Sequence, residues 1–155
     1  MQPFVSPTRA PGRFDAFRLA RERGSLAGSV DATTLPRLTD RVIGAPAPID
    51  WRIEGTADAM GRLALAVLLE GTVTLECQRC LGPLEFAISQ RTQLLLAHDE
   101  AETARLDAES DAEVLLAETA LDPQTLIEDE LVLALPYVAR HPEESCSPPQ
   151  ADGVN

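Results

Sequence analysis

The amino-acid sequence predicts an α+β domain, an antiparallel sheet of about four to six strands with one or two helices packed on it. Three observations lead there. Apolar residues alternate with period two through residues 51–97, a proline-started helical pattern occupies 122–135, and 155 residues suit one domain with tails. Residues 1–13 are expected to form a flexible segment, 14–146 the domain with an acidic loop at 98–113, and 147–155 a disordered tail.

The elements follow in order. Phe14 and Phe17 sit at helical spacing in a stretch that Gly24 is placed to stop, which predicts a short amphipathic helix with Arg18, Arg21 and Arg23 outward. Residues 25–30 are β-compatible, and 35–38 lead to a proline-rich turn at 45–48. Trp51, Ile53 and Gly55 then alternate with Arg52, Glu54 and Thr56. Leu63, Leu65, Val67 and Leu69 share one face, and Gly71 separates them from a further run carrying Val73, Leu75 and Cys77. Leu84, Phe86 and Ile88 resume the alternation, which residues 92–97 extend into an antiparallel meander. Residues 98–113 are dense in acid and read as a solvated loop, with 114–116 a short edge strand after it. Asp122 can cap exposed amides and Pro123 opens a helix without losing a bond, so a helix is expected to Leu135, ended by Pro136. Its face at Leu126, Ile127, Glu130, Leu131, Ala134 and Leu135 is broad and expected to be mostly buried, and Glu128, Asp129 and Glu130 suit the positive end of its dipole. Such carboxylates read better as a solvated face than as catalytic groups.

The formal net charge of −12 is uneven. Residues 1–52 hold eight Arg against five acids, whereas 53–155 hold five Arg against twenty. A protein that coats RNA by neutralising phosphates needs a basic domain, so direct RNA contact here has to be local, and a basic partner protein suits the acidic part better. Arg79 and the group Arg18, Arg21 and Arg23 are the candidates for that local contact. The thirteen basic residues are all Arg, which fits a base-composition habit better than a binding device. Prolines interrupt the first twelve residues and the longest apolar run, 63–69, is far short of a bilayer span, so a cytoplasmic protein with no membrane partner is expected.

Two of the three cysteines form a Cys-x-x-Cys pair, Cys77 and Cys80, at the end of a strand. Reduced thiols at this spacing can close a small ring around zinc, which takes four Cys or His ligands in a structural site. His141 and Cys146, just past the last helix, are the available third and fourth ligands. Two other readings stay open: a thiol redox pair, and two cysteines of a β-turn with no chemical role. In thiol-disulfide enzymes the pair opens a helix, whereas here a turn at Leu81, Gly82 and Pro83 follows it. A glycine-rich phosphate loop and a nucleophile motif beside either histidine are both lacking.

Residues 72–81 (TVTLECQRCL) and 128–136 (EDELVLALP), with His141 and Cys146, resemble the bacterial YceD family, the large ribosomal RNA subunit accumulation proteins. Residues 25–28 (SLAG) and 35–38 (LPRL) are similar to it too, so the resemblance covers 14–146. It implies a non-enzymatic cytoplasmic role in synthesis, processing or stability of 23S ribosomal RNA, and carries no catalytic residue. The genes of this family commonly neighbour that of a large-subunit ribosomal protein. Some of its members carry a richer cysteine pattern that looks like a zinc knuckle, of which this chain keeps Cys146 alone after the helix. Together with the acidity, the resemblance suggests an adaptor whose surface around 98–130 engages a large-subunit assembly intermediate through a basic ribosomal protein or maturation factor. The competing class is a metal-assisted hydrolase or thiol redox protein using Cys77 and Cys80.

Overall fold

The structure, a computed structural model, describes residues 12–142. The expected tail at 147–155, most of the expected flexible segment at 1–13, and Cys146 lie outside the described residues. Five strands form one sheet: β1 (Ser25–Asp31), β2 (Pro48–Ala57), β3 (Leu63–Glu76), β4 (Pro83–Ala97) and β5 (Glu113–Leu116), in that spatial order. The helices are α1 (Ala16–Glu22), α2 (Glu100–Glu109) and α3 (Pro123–Ala134). The expected α+β class stands, with three helices instead of one or two. The first four strands form an antiparallel meander that takes in the expected one at 51–97 and adds β1, whereas β5 joins β4 in parallel, so the sheet is mixed. A parallel neighbour needs a crossover, and α2 supplies it.

Gly71 does not separate two strands. It lies inside β3, opposite Gly71's neighbours Ile49 of β2 and Ile88 of β4, and Leu65, Val67, Leu69, Val73 and Leu75 line one buried face on both sides of it. A Cβ at Gly71 would come within 2.5 Å of Ile49 Cδ1 and 2.9 Å of the Pro48 carbonyl, so the glycine marks a close approach rather than a break. The run at 84–88 and that at 92–97 likewise belong to one strand, β4.

α1 covers one end of the sheet, burying Ala16, Phe17 and Ala20. Asp15 caps it by accepting a hydrogen bond from the Arg18 amide, and Arg23 ends it in the left-handed region at φ 54°, one residue before the glycine expected to do so. The Phe17 ring stacks on His98 with centroids 3.8 Å apart. Residues 98–113 are not a loop. Asp99 caps α2 by accepting from the Glu102 amide, and Glu100 and Glu102 in the first turn suit the helix dipole. One large apolar residue, Leu106, anchors the helix on Ala64, Leu95 and Ala97, the face of the sheet opposite the main core. So sparse a stripe carries almost no periodic signal.

α3 lies over the main core through Leu126, Ile127 and Leu131, with the expected Asp122 cap and Pro123 start. The Asp122 carboxylate accepts from the Gln124 amide and from the Thr125 hydroxyl, both at 3.1 Å. Asp122→Ala removes both bonds and is expected to lower stability by about 1 kcal/mol, read as a lower urea midpoint with unchanged slope.

Candidate metal centre at the hairpin tip

The long β3–β4 hairpin ends in a tight turn at 77–82. The Cys77 amide donates to the Gly82 carbonyl at 2.9 Å, and the Leu81 amide donates to the Cys77 carbonyl at 2.8 Å. Leu81 takes φ 65°, a conformation that leucine adopts at some cost, and this lets the chain reverse directly after Cys80. Cys77, the residue directly after β3, is fully buried in the main core; Cys80 is half-buried.

The segment after α3 returns to this turn. The Gln78 amide donates to the Ala139 carbonyl at 2.8 Å, which pins the segment two residues before His141. The His141 amide donates to Cys77 Sγ at 3.5 Å, and its Nδ1 stands 3.4 Å from Cys80 Sγ. His141 Nε2 lies 2.9 Å from the Pro83 carbonyl oxygen, which can only accept. In the neutral ring this bond keeps the proton on Nε2 and turns the Nδ1 lone pair toward the thiols, the tautomer in which histidine ligates a metal through Nδ1.

The ligand atoms of Cys77, Cys80 and His141 all lie within 4.8 Å of one another. A tetrahedral zinc ion with its usual Zn–S and Zn–N bonds holds its ligand atoms about 3.3–3.8 Å apart, so small side-chain adjustments bring this set onto one ion. The residues fit a structural metal. They fit thiol redox chemistry less well, because the pair lies at a hairpin tip with no helix amino terminus to lower a thiol pKa.

The expected RNA-contact residues do not share a surface. Arg79 is exposed at the hairpin tip, while Arg18, Arg21 and Arg23 are exposed on α1, which packs at Gly55 and its β3 partner Leu65. From Leu65 to the end of β3 is roughly 35 Å of strand.

The carboxylates read from sequence as one solvated face behave differently from one another. Glu128 accepts from the Arg37 amide at 2.7 Å, Asp129 pairs with the Arg37 guanidinium, and Glu130 is buried, 4% exposed. Burial, and then the charge of Glu113, hold the Glu130 carboxyl above its ordinary value of 4.5, against an opposing hydrogen bond from Thr92. The folded state thus binds this proton more tightly than the unfolded state, and the penalty for ionising it is full above the folded pKa and gone below 4.5. Glu130→Gln is expected to raise Tm at pH 7, with the gain fading as pH falls toward 4.5. Its position in the apolar stripe of α3 was the available signal.

A family model described as "Large ribosomal RNA subunit accumulation protein YceD" matches residues 65–155, more than half of the chain. The chain belongs to the YceD family. The YceD match takes in both cysteines of the hairpin turn, α2, α3 and His141; it begins inside β3, so the likeness at 25–28 and 35–38 precedes it. The YceD name ties the family to accumulation of large-subunit ribosomal RNA. No solved structure matches the chain. Among the described residues no helix is long and apolar enough to cross a membrane.

Proposed function

We propose that this YceD-family protein is a non-catalytic factor of ribosome biogenesis that sustains 23S ribosomal RNA as an adaptor in large-subunit assembly. The family match is the observation that carries the reading. Its physical support is the acidity of the surface: Asp99, Glu100, Asp107, Glu109, Asp111 and Glu113 are all exposed on and around α2. Such a surface repels an RNA backbone and draws a basic ribosomal protein or maturation factor. RNA contact, where it occurs, falls to Arg79 or to Arg18, Arg21 and Arg23, two separate patches.

In this reading Cys77, Cys80 and His141 hold a zinc ion with Cys146 as fourth ligand, and the ion's role is structural. It ties the segment after α3 to the hairpin tip and so keeps α3 on the sheet. The protein acts in the cytoplasm.

Cells lacking the protein should show a selective fall in the ratio of mature 23S to 16S rRNA, restored by the wild-type gene. An unchanged ratio would overturn the assembly role. Neutralising Asp99, Glu100, Asp107 and Glu109 to their amides should abolish co-purification with large-subunit precursors, and undiminished association would remove this surface from the account.

A further inference from the structure

Where β5 meets α3, a groove of about 440 Å³ opens beside the sheet. Leu94 of β4, Val114 and Leu115 of β5 and Leu126 of α3 supply apolar walls, and Glu130 lies at the floor. Asp107 of α2, Glu113 of β5 and Asp129 of α3 add carboxylates around it. A second hollow of about 340 Å³ shares Leu115, Leu126 and Asp129 and continues the groove toward Arg13.

Apolar walls set among carboxylates match few side chains. A lysine or arginine has an aliphatic stem and a cationic tip, and it satisfies both parts at once. Arginines of the protein itself line both hollows: the Arg37 guanidinium pairs with Asp129 in the first, and the Arg13 guanidinium donates to the Ala120 carbonyl at 3.3 Å in the second.

We propose that this groove is the docking site for a basic segment of a partner protein, which inserts a lysine or arginine side chain between β5 and α3 with its cation at Glu130 and Glu113. The inference rests on the adaptor reading and deepens it, assigning to one groove what that reading gives to a broad acidic surface. Charge complementarity names the occupant. Burial, and after it the charges of Glu113 and Asp129, hold Glu130 toward its protonated form, and an arriving cation relieves the part that comes from those charges. An apolar ligand would leave the repulsion in place, and an anion would add to it.

Fluorescence anisotropy of a labelled lysine-leucine peptide with the full chain tests the proposal, with the glutamate-leucine peptide as control. Glu130→Gln should weaken binding at least about tenfold, since it removes the buried half of a charge pair. Leu133→Arg, at a groove residue that is 65% exposed and so outside the core, should block the groove with a tethered cation and give a similar loss without disturbing the fold. The double amide variant of Asp99 and Glu100, outside the groove, should cost only a few-fold through lost long-range attraction. Failure of the wild-type chain to bind the lysine peptide, or equal binding by the Glu130→Gln and Leu133→Arg variants, would overturn the groove. The adaptor reading is judged apart from this, by whether the wild-type protein co-purifies with large-subunit precursors.

Discussion

Serine at both Cys77 and Cys80 is expected to strip the protein of zinc and lower its Tm by roughly 10–20 °C. Two effects add. If zinc is present at about a thousandfold over its Kd, it stabilises the fold by about 4 kcal/mol, all of which is lost with the thiolates. Cys77 is fully buried and its Sγ accepts from the His141 amide, and a serine hydroxyl there, with a shorter reach to that amide, costs about 1–3 kcal/mol more. The contributions separate by experiment. Chelation of the wild-type protein should produce the first without the second, and His141→Ala, at a position near the surface, should do nearly the same. Metal content by atomic emission together with thermal unfolding reads all three. A wild-type protein purified without metal, whose Tm ignores both chelator and added zinc, would sink the proposed centre.

Gly55→Ala should destabilise the protein by about 3 kcal/mol, the upper end of the usual range for overpacking. Helix α1 crosses β2 at this residue so closely that an added Cβ would lie 2.1 Å from the Leu19 carbonyl oxygen and 2.6 Å from its carbon. Both contacts are with backbone, so no rotamer change relieves them. The Gly55 amide also donates to the Gly24 carbonyl at 2.8 Å, which fixes the chain leaving α1 to the same strand. Backing α1 away would expose Phe17 and Ala20 and break the stacking on His98. Gly12→Ala, where nothing lies within 4 Å, is the control and should leave stability unchanged. Urea unfolding of the two variants is sufficient, and a Gly55→Ala protein as stable as the control would show that the close crossing does not exist in solution.

Much of this protein was legible in its residues. Period-two alternation located β2, β4 and both halves of β3 because each buries one face, and burial on one face forces alternation. Asp122, Pro123 and Pro136 marked α3 because caps and proline act through their own backbone. The Cys-x-x-Cys spacing and His141 singled out three side chains whose ligand atoms the fold brings within 4.8 Å of one another, and residues 72–81 and 128–136 were enough to suggest the family that the match at 65–155 shows.

Other features depend on what lies across the fold. Helix α2 was hidden because a single leucine holds it, and the value of Leu106 depends on the small residues Ala64 and Ala97 that receive it. Gly71 looked like a break because glycine has two uses, and only the position of Ile49 and Pro48 shows that this one makes room. Glu130 fell both on the apolar stripe of α3 and in a run of solvated acids, and only the packed helix shows which of the two holds. The separation of Arg79 from the α1 arginines, and the meeting of β5 with α3 in one groove, are long-range facts of the same kind. By itself the sequence determined what each segment can form and which side chains can ligate a metal, since those depend on local backbone and side-chain chemistry. Only the tertiary structure decided which segments face one another, because that is settled by the shape left when all of them pack at once.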